Sequence, residues 1–148
     1  MKFPRKKKNQ KTIDKGWGTE IIIHDNERYC VKKLDIQKGG QCSLHFHKKK
    51  EESFLVLEGE LQMTMVKNSV TNQINLTAGQ SIDIPIEMPH QFKALTRCIV
   101  IEASNEDFEE DLIRIEDGDT QKNFQKQLPI SNRDFIEWEK KCKARCGN

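Results

Sequence analysis

The chain has 148 residues, 35% hydrophobic and 32% charged, with a formal net charge of +2. That length supports one sizeable core and not two comfortable domains. No apolar run approaches the roughly 20 residues of a membrane-spanning helix, and five irregularly spaced cysteines do not form a disulfide framework, which excludes a helical membrane protein and a disulfide-stapled secreted domain.

The positive charge is concentrated at one end. Residues 1–11 hold Lys2, Arg5, Lys6, Lys7, Lys8 and Lys11 with no acid, so everything after them is net negative. Residues 1–13 read as a basic flexible arm. The arm lacks the interleaved aromatics of a base-stacking surface, so nucleic acid is not an expected partner. The segment MKFPRKKK is not followed by the apolar stretch of a signal peptide, and neither membrane association nor export is expected. The expectation is a cytoplasmic protein.

In chain order, Gly16-Trp17-Gly18 punctuates the start of the ordered part, and the β-branched run Glu20–His24 predicts a strand. After a turn at Asp25-Asn26-Glu27, Arg28–Ile36 alternates partly, with Cys30, Lys32 and Leu34 on one face. Ser43–His47 follows, then a polar corner at Lys48-Lys49-Lys50-Glu51, Ser53–Leu57, a turn at Glu58-Gly59-Glu60, and Leu61–Val66. Further strands are predicted at Gln73–Leu76, Ser81–Ile84, His90–Leu95 and Cys98–Ala103, separated by Lys67-Asn68-Ser69, Ala78-Gly79 and Met88-Pro89. Short strands with regular punctuation and little helical periodicity predict an all-β antiparallel barrel or jelly roll.

The last forty residues differ. Residues 111–119 contain one short extended segment closed by Gly118. Residues 121–148 form an expected C-terminal extension with a helix, in which Ser131 is the N-cap, Phe135, Trp138 and Cys142 share a stripe, and cations fill the last turns. The stripe is expected to dock on the barrel wall or on a second subunit. Cys142 and Cys146 stand one helical turn apart with no second soft pair nearby, and read as packing residues.

The chemistry gathers in His45, His47, Glu52 and His90. In a strand, His45 and His47 project to the same side two rises apart, which suits two ligands of one ion. Three neutral imidazoles and a carboxylate suit a borderline divalent ion and leave coordination positions for water or substrate. Glu51 is the rival to Glu52.

These residues resemble the cupin superfamily. Gly39, His45, His47, Glu52 and Gly59 fit its first motif without a gap, and Gly79, Pro85 and His90 match the second, with Glu87 in place of the inner Gly and Ala94 in place of Asn. Trp17-Gly18, Val31–Leu34, Ile84-Pro85, Ile101-Glu102 and Glu110–Asp117 narrow the resemblance to the cupin domain of type II mannose-6-phosphate isomerases, over residues 14–120. His45 stands where that family commonly has Gln. The nucleotidyltransferase domain that usually precedes it is not among these residues, so GDP-mannose synthesis is not expected.

The resemblance implies a single cupin jelly-roll barrel and a sugar or sugar-phosphate aldose–ketose isomerase working through a cis-enediol. It implies one divalent metal ion, zinc first and Fe, Mn, Ni or Co otherwise, held by His45, His47, Glu52 and His90. No organic cofactor is implied. Arg114, in the closing motif, is the expected binder of substrate or phosphate. Glu102 is the expected base, and an ion pair with Arg97 is its alternative role. A homodimer is a family expectation. Two other readings stay open: a metal-dependent dioxygenase, and a non-catalytic carbohydrate-binding cupin.

Overall fold

A computed structural model of the chain describes residues 2–4, 6, 10–107 and 111–122. The expected helix from Ser131 and the Cys142/Cys146 pair lie outside the described residues.

Among the described residues, alternation of apolar and polar side chains becomes eleven strands. They are β1 (Lys11–Lys15), β2 (Gly18–Asp25), β3 (Cys30–Ile36), β4 (Leu44–His47), β5 (Glu52–Glu58), β6 (Leu61–Lys67), β7 (Val70–Leu76), β8 (Ser81–Ile84), β9 (His90–Ala94), β10 (Cys98–Ser104) and β11 (Leu112–Glu116). They form two antiparallel sheets, one ordered β1-β2-β3-β10-β5-β8 and the other β11-β4-β9-β6-β7. This is the expected all-β jelly roll.

β3 shows the pattern most plainly: Cys30, Lys32, Leu34 and Ile36 are buried and the residues between them less so. The core lies between the sheets, where Leu34, Phe54, Val56, Leu61, Met63 and Val100 pack at no more than 2% exposure. Trp17 meets Phe92 edge to face, with ring centroids 5.2 Å apart. Removing such apolar surface from water is the main force holding the sheets together.

Turn chemistry sets register. Lys67 pairs with Val70 around Asn68 and Ser69, whose φ angles are 52° and 61°. Two consecutive left-handed residues make the tight loop that matches strand twist. A short helical turn covers residues 119–122. Gly118, just before it, lies so close to the main chain of Cys42 and Ser43 that no Cβ would fit.

The boundary of the basic arm needs correction. The expected arm ran through residue 13, but β1 begins at Lys11 and pairs with β2 from Lys11↔Ile22 to Lys15↔Gly18. Thr12 and Ile13 supply β-prone residues between the lysines, and lysines are well tolerated on an edge strand.

Glu87 occupies the position where the second motif has Gly, and it keeps a left-handed conformation at φ 67°. Its N–H donates to the His47 carbonyl at 2.8 Å, tying the turn before His90 to β4. A side chain in this region costs roughly 1–2 kcal/mol, partly offset against Gly by the latter's greater entropy loss on folding. Glu87→Gly should therefore raise stability by about 0.5–1 kcal/mol. Urea unfolding of the two proteins measures it, and equal midpoints would mean that the turn is not strained.

Candidate metal centre

The site is assembled from both sheets. On the five-stranded sheet, His45 of β4 is the register partner of His90 on β9 and of Arg114 on β11. Directly opposed residues in an antiparallel pair share a face, so Arg114, His45 and His90 form one row. His47 follows on the same face of β4. On the other sheet, Glu102 of β10 lies between Lys32 of β3 and Phe54 of β5. Residues 48–51 carry the chain from one sheet to the other and deliver Glu52, which opens β5.

The three imidazoles converge. Ligand atoms of His45, His47 and His90 lie within 4.8 Å of one another, close enough to share one ion. The Nδ1 atoms of His45 and His90 each lie 2.9 Å from the main-chain carbonyl two residues back, at Ser43 and Met88. Donation from Nδ1 leaves the Nε2 lone pair for a metal. Ser43 Oγ also reaches His45 Nδ1, at 2.8 Å.

Glu52 abuts this cluster. Its Oε1 is 3.5 Å from His47 Nε2 and its Oε2 2.9 Å from His90 Nε2. The second separation is short, but neither atom has a hydrogen-bond partner there, and His47 Nε2 is likewise buried and unsatisfied. Orphaned buried polar atoms are costly. A carboxylate oxygen and two imidazole nitrogens aimed at one point fit a divalent cation. Glu51, the rival, is exposed on the corner.

The ionisation states agree. Burial, reinforced by the other two rings, lowers His45 to about 3. Burial likewise lowers His47 to about 4, so both are neutral near pH 7. Burial alone would raise Glu52, but His90 and the Lys50 ammonium outweigh it and hold the carboxyl well below its usual range. Glu102 goes the other way: burial and the neighbouring Glu52 carboxylate, against the pull of Lys50, raise it to about 8.

Sequence reasoning missed several neighbours. Lys50, in what read as a polar corner, is buried, with Nζ 2.9 Å from Glu52 Oε1 and 3.1 Å from Asp107 Oδ1. Lys32 is buried too, 2.7 Å from Asp107, 3.0 Å from Glu20 and 4.0 Å from Glu102. The signal for Lys32 was its place between Cys30 and Leu34 on the inward face. Arg97 is not the partner of Glu102: it pairs with Asp35 at 2.7 Å, on the outside. His47, Glu52, Glu102, Lys50 and Arg114 all line one cavity of about 590 Å³. Arg114 itself is exposed and has no ion-pair partner among the described residues.

A family model described as mannose-6-phosphate isomerase C-terminal matches residues 4–117. The chain belongs to this family. Among curated proteins it is 29% identical over 110 residues to mannose-1-phosphate guanylyltransferase 2 of Escherichia coli O157:H7, a match covering 72% of this chain but only 22% of that relative. Solved structures share the fold. The capsular polysaccharide assembling protein CapF of Staphylococcus aureus superposes with a TM-score of 0.66 at 19% identity, over 73% of this chain and 34% of that one. Bacillus subtilis oxalate decarboxylase, described with Mn(II) centres, gives 0.63 at 16%, over 72% and 30%. The fold of this member is thus a cupin jelly roll. No helix among the described residues is long and apolar enough to cross a membrane.

The lowered histidines set a pH dependence. His47 falls from an ordinary 6.5 to about 4 in the fold, so the unfolded chain binds more protons between those values. Its contribution is present above pH 6.5 and lost as pH falls toward 4. In metal-free protein, His47→Gln should flatten the acid-side loss of stability by up to one proton, about 1.4 kcal/mol per pH unit. Urea unfolding at pH 7, 6 and 5 tests this; parallel curves for the two proteins would refute it.

Proposed function

We propose that residues 14–120 act as a metal-dependent aldose–ketose isomerase on a sugar or sugar phosphate. The observation that carries this reading is the cavity itself. His45, His47 and the Glu52 carboxylate line it together with a second buried carboxyl, Glu102, raised to about 8, and the third convergent imidazole, His90, is buried against Glu52.

In this reading His45, His47, Glu52 and His90 hold one divalent ion, with zinc favoured by the nitrogen-rich set. When bound, the ion would polarise the substrate carbonyl and hold adjacent hydroxyls. Glu102 moves the proton between neighbouring carbons. A group that must both take and return a proton works best when its pKa lies near the working pH, and Glu102 is raised to about 8. Arg114, exposed at the rim, binds the phosphate or steadies negative charge developing on the enediolate. The names of the family and of its guanylyltransferase relatives agree with a phosphorylated sugar as substrate.

A second reading has one observation in its favour. His45, held by Ser43 through Nδ1, is set as a ligand, and three histidines with one glutamate also suit an oxygen-using metal enzyme. Oxygen consumption would support that reading and count against isomerisation.

The test is metal content of protein purified without added metal, followed by mannose 6-phosphate, fructose 6-phosphate and unphosphorylated aldoses with ketose product measured. We expect one ion per chain and its loss in His47→Ala. Glu102→Gln should keep the metal and lose about 10²–10⁴-fold in kcat, the usual share of general acid–base catalysis. Arg114→Ala should raise KM for phosphorylated substrate more than for the free sugar. Unchanged kcat in Glu102→Gln would remove it as the proton carrier.

A further inference from the structure

Two of the three histidines have their second ring nitrogen secured by a main-chain carbonyl, but His47 does not. Both of its ring nitrogens are buried without a hydrogen-bond partner among the described residues. The acceptor placed against Nδ1 is Asp111, whose Oδ2 lies 3.8 Å away.

Asp111 is itself firmly held. It is buried, and its carboxylate accepts the main-chain N–H groups of Lys49, at 2.9 and 3.1 Å, and of Lys50, at 2.9 Å. Its main-chain carbonyl accepts the N–H of Lys48 at 3.3 Å. The next residue, Leu112, is the register partner of His47. The corner between β4 and β5 is thus wound around one carboxylate, and that carboxylate faces His47.

We propose that Asp111 is the positioning residue for His47: it accepts the Nδ1–H, which keeps the proton on Nδ1 and the lone pair on Nε2, and aims the ring at the shared ion. This rests on the metal reading above. A carboxylate has about four lone-pair sites; the corner supplies only two donors, the Lys49 N–H shared between Oδ1 and Oδ2 and the Lys50 N–H on Oδ2, so capacity for the ring remains. At 3.8 Å the pair is longer than a hydrogen bond. An ion drawing on Nε2 makes Nδ1–H a stronger donor, so metal binding and the Asp111 contact reinforce each other. Asp111 also immediately precedes β11, which carries Arg114 three residues on. One anchor therefore serves both the metal site and the substrate-binding strand.

Asp111→Asn in the full chain separates positioning from simple capping. Asparagine keeps an oxygen for the Lys49 and Lys50 N–H groups but removes the charge. With zinc as the probe, competition against a chromophoric chelator should show affinity about 10–100-fold weaker than wild type. Ring-nitrogen NMR of zinc-loaded wild type should show His47 protonated on Nδ1, a reading that needs no variant and stands even if Asp111→Asn fails to fold. Equal zinc affinity in a folded Asp111→Asn, or His47 protonated on Nε2 in loaded wild type, would overturn the proposal. A wild type that binds no zinc would overturn the metal reading and this inference together.

Discussion

The structure is organised around a negative charge kept out of water. Glu52 is 2% exposed and ionised, and an isolated buried carboxylate would neutralise itself rather than stay charged. It stays charged because compensation is passed along a chain of alternating sign. Lys50 lies against Glu52, Asp107 bridges Lys50 and Lys32, Glu20 takes Lys32, and Lys15 takes Glu20 at 3.4 Å. Three ammonium groups balance three carboxylates, and the chain runs from the cavity floor to β1 at its edge. Glu102 lies beside this chain without adding charge while it holds its proton. Replacing such buried pairs by apolar residues is often neutral or stabilising, so stability alone does not account for the network. What it does provide is a fixed carboxylate whose Oε2, unlike Oε1, has no hydrogen-bond partner among the described residues.

The fold makes that arrangement possible by bringing two rows of side chains face to face. One sheet presents Arg114, His45 and His90 in register, and the other presents Lys32, Glu102 and Phe54. Because strand side chains alternate with a period of two, a one-residue slip on β4 would turn both histidines outward. Contacts at the strand ends oppose such a slip. The N–H of Glu87 is bonded to the His47 carbonyl, and Gly118 is pressed against Cys42 and Ser43. Several of these contacts join residues distant in sequence, so the convergence of the three imidazoles depends on the whole sandwich and not on one loop.

Much of this was legible beforehand for a physical reason. Strands such as Ser81–Ile84, and the inward set Cys30, Lys32 and Leu34, follow from alternation and turn residues, which are local signals. The convergence of the histidines and Glu52 was legible because the spacing of these residue types between glycines brings them together. The charge network was not. A lysine in a run of three reads as solvated, and only the paths of β5 and β10 show that Lys50 is enclosed while Lys48 and Lys49 are exposed. Asp111 was legible as part of a motif but not as a partner of His47, because their pairing joins positions 64 apart. The arm boundary failed because lysines at β1 looked like a continuation of the basic tail, whereas pairing with β2 decides the matter.

The same electrostatics narrows which groups can exchange protons. Burial works against charging Lys32 and Lys50, but the surrounding carboxylates outweigh it and push both upward, so they remain ammonium and cannot act as bases. Burial raises the Cys42 thiol well out of the neutral range, which removes it as a nucleophile. The lowered histidines are neutral but face one another across the proposed ion site. Of the groups in the cavity whose ionisation the fold displaces, Glu102 alone comes near neutrality. It does so because burial first, and then the Glu52 carboxylate that repels a second charge beside it, outweigh the pull of Lys50. The two carboxyls are therefore coupled through one ammonium: Lys50 helps to hold Glu52 ionised and also draws Glu102 down, and Glu102 stays near neutrality because its burial and the Glu52 charge together exceed that pull.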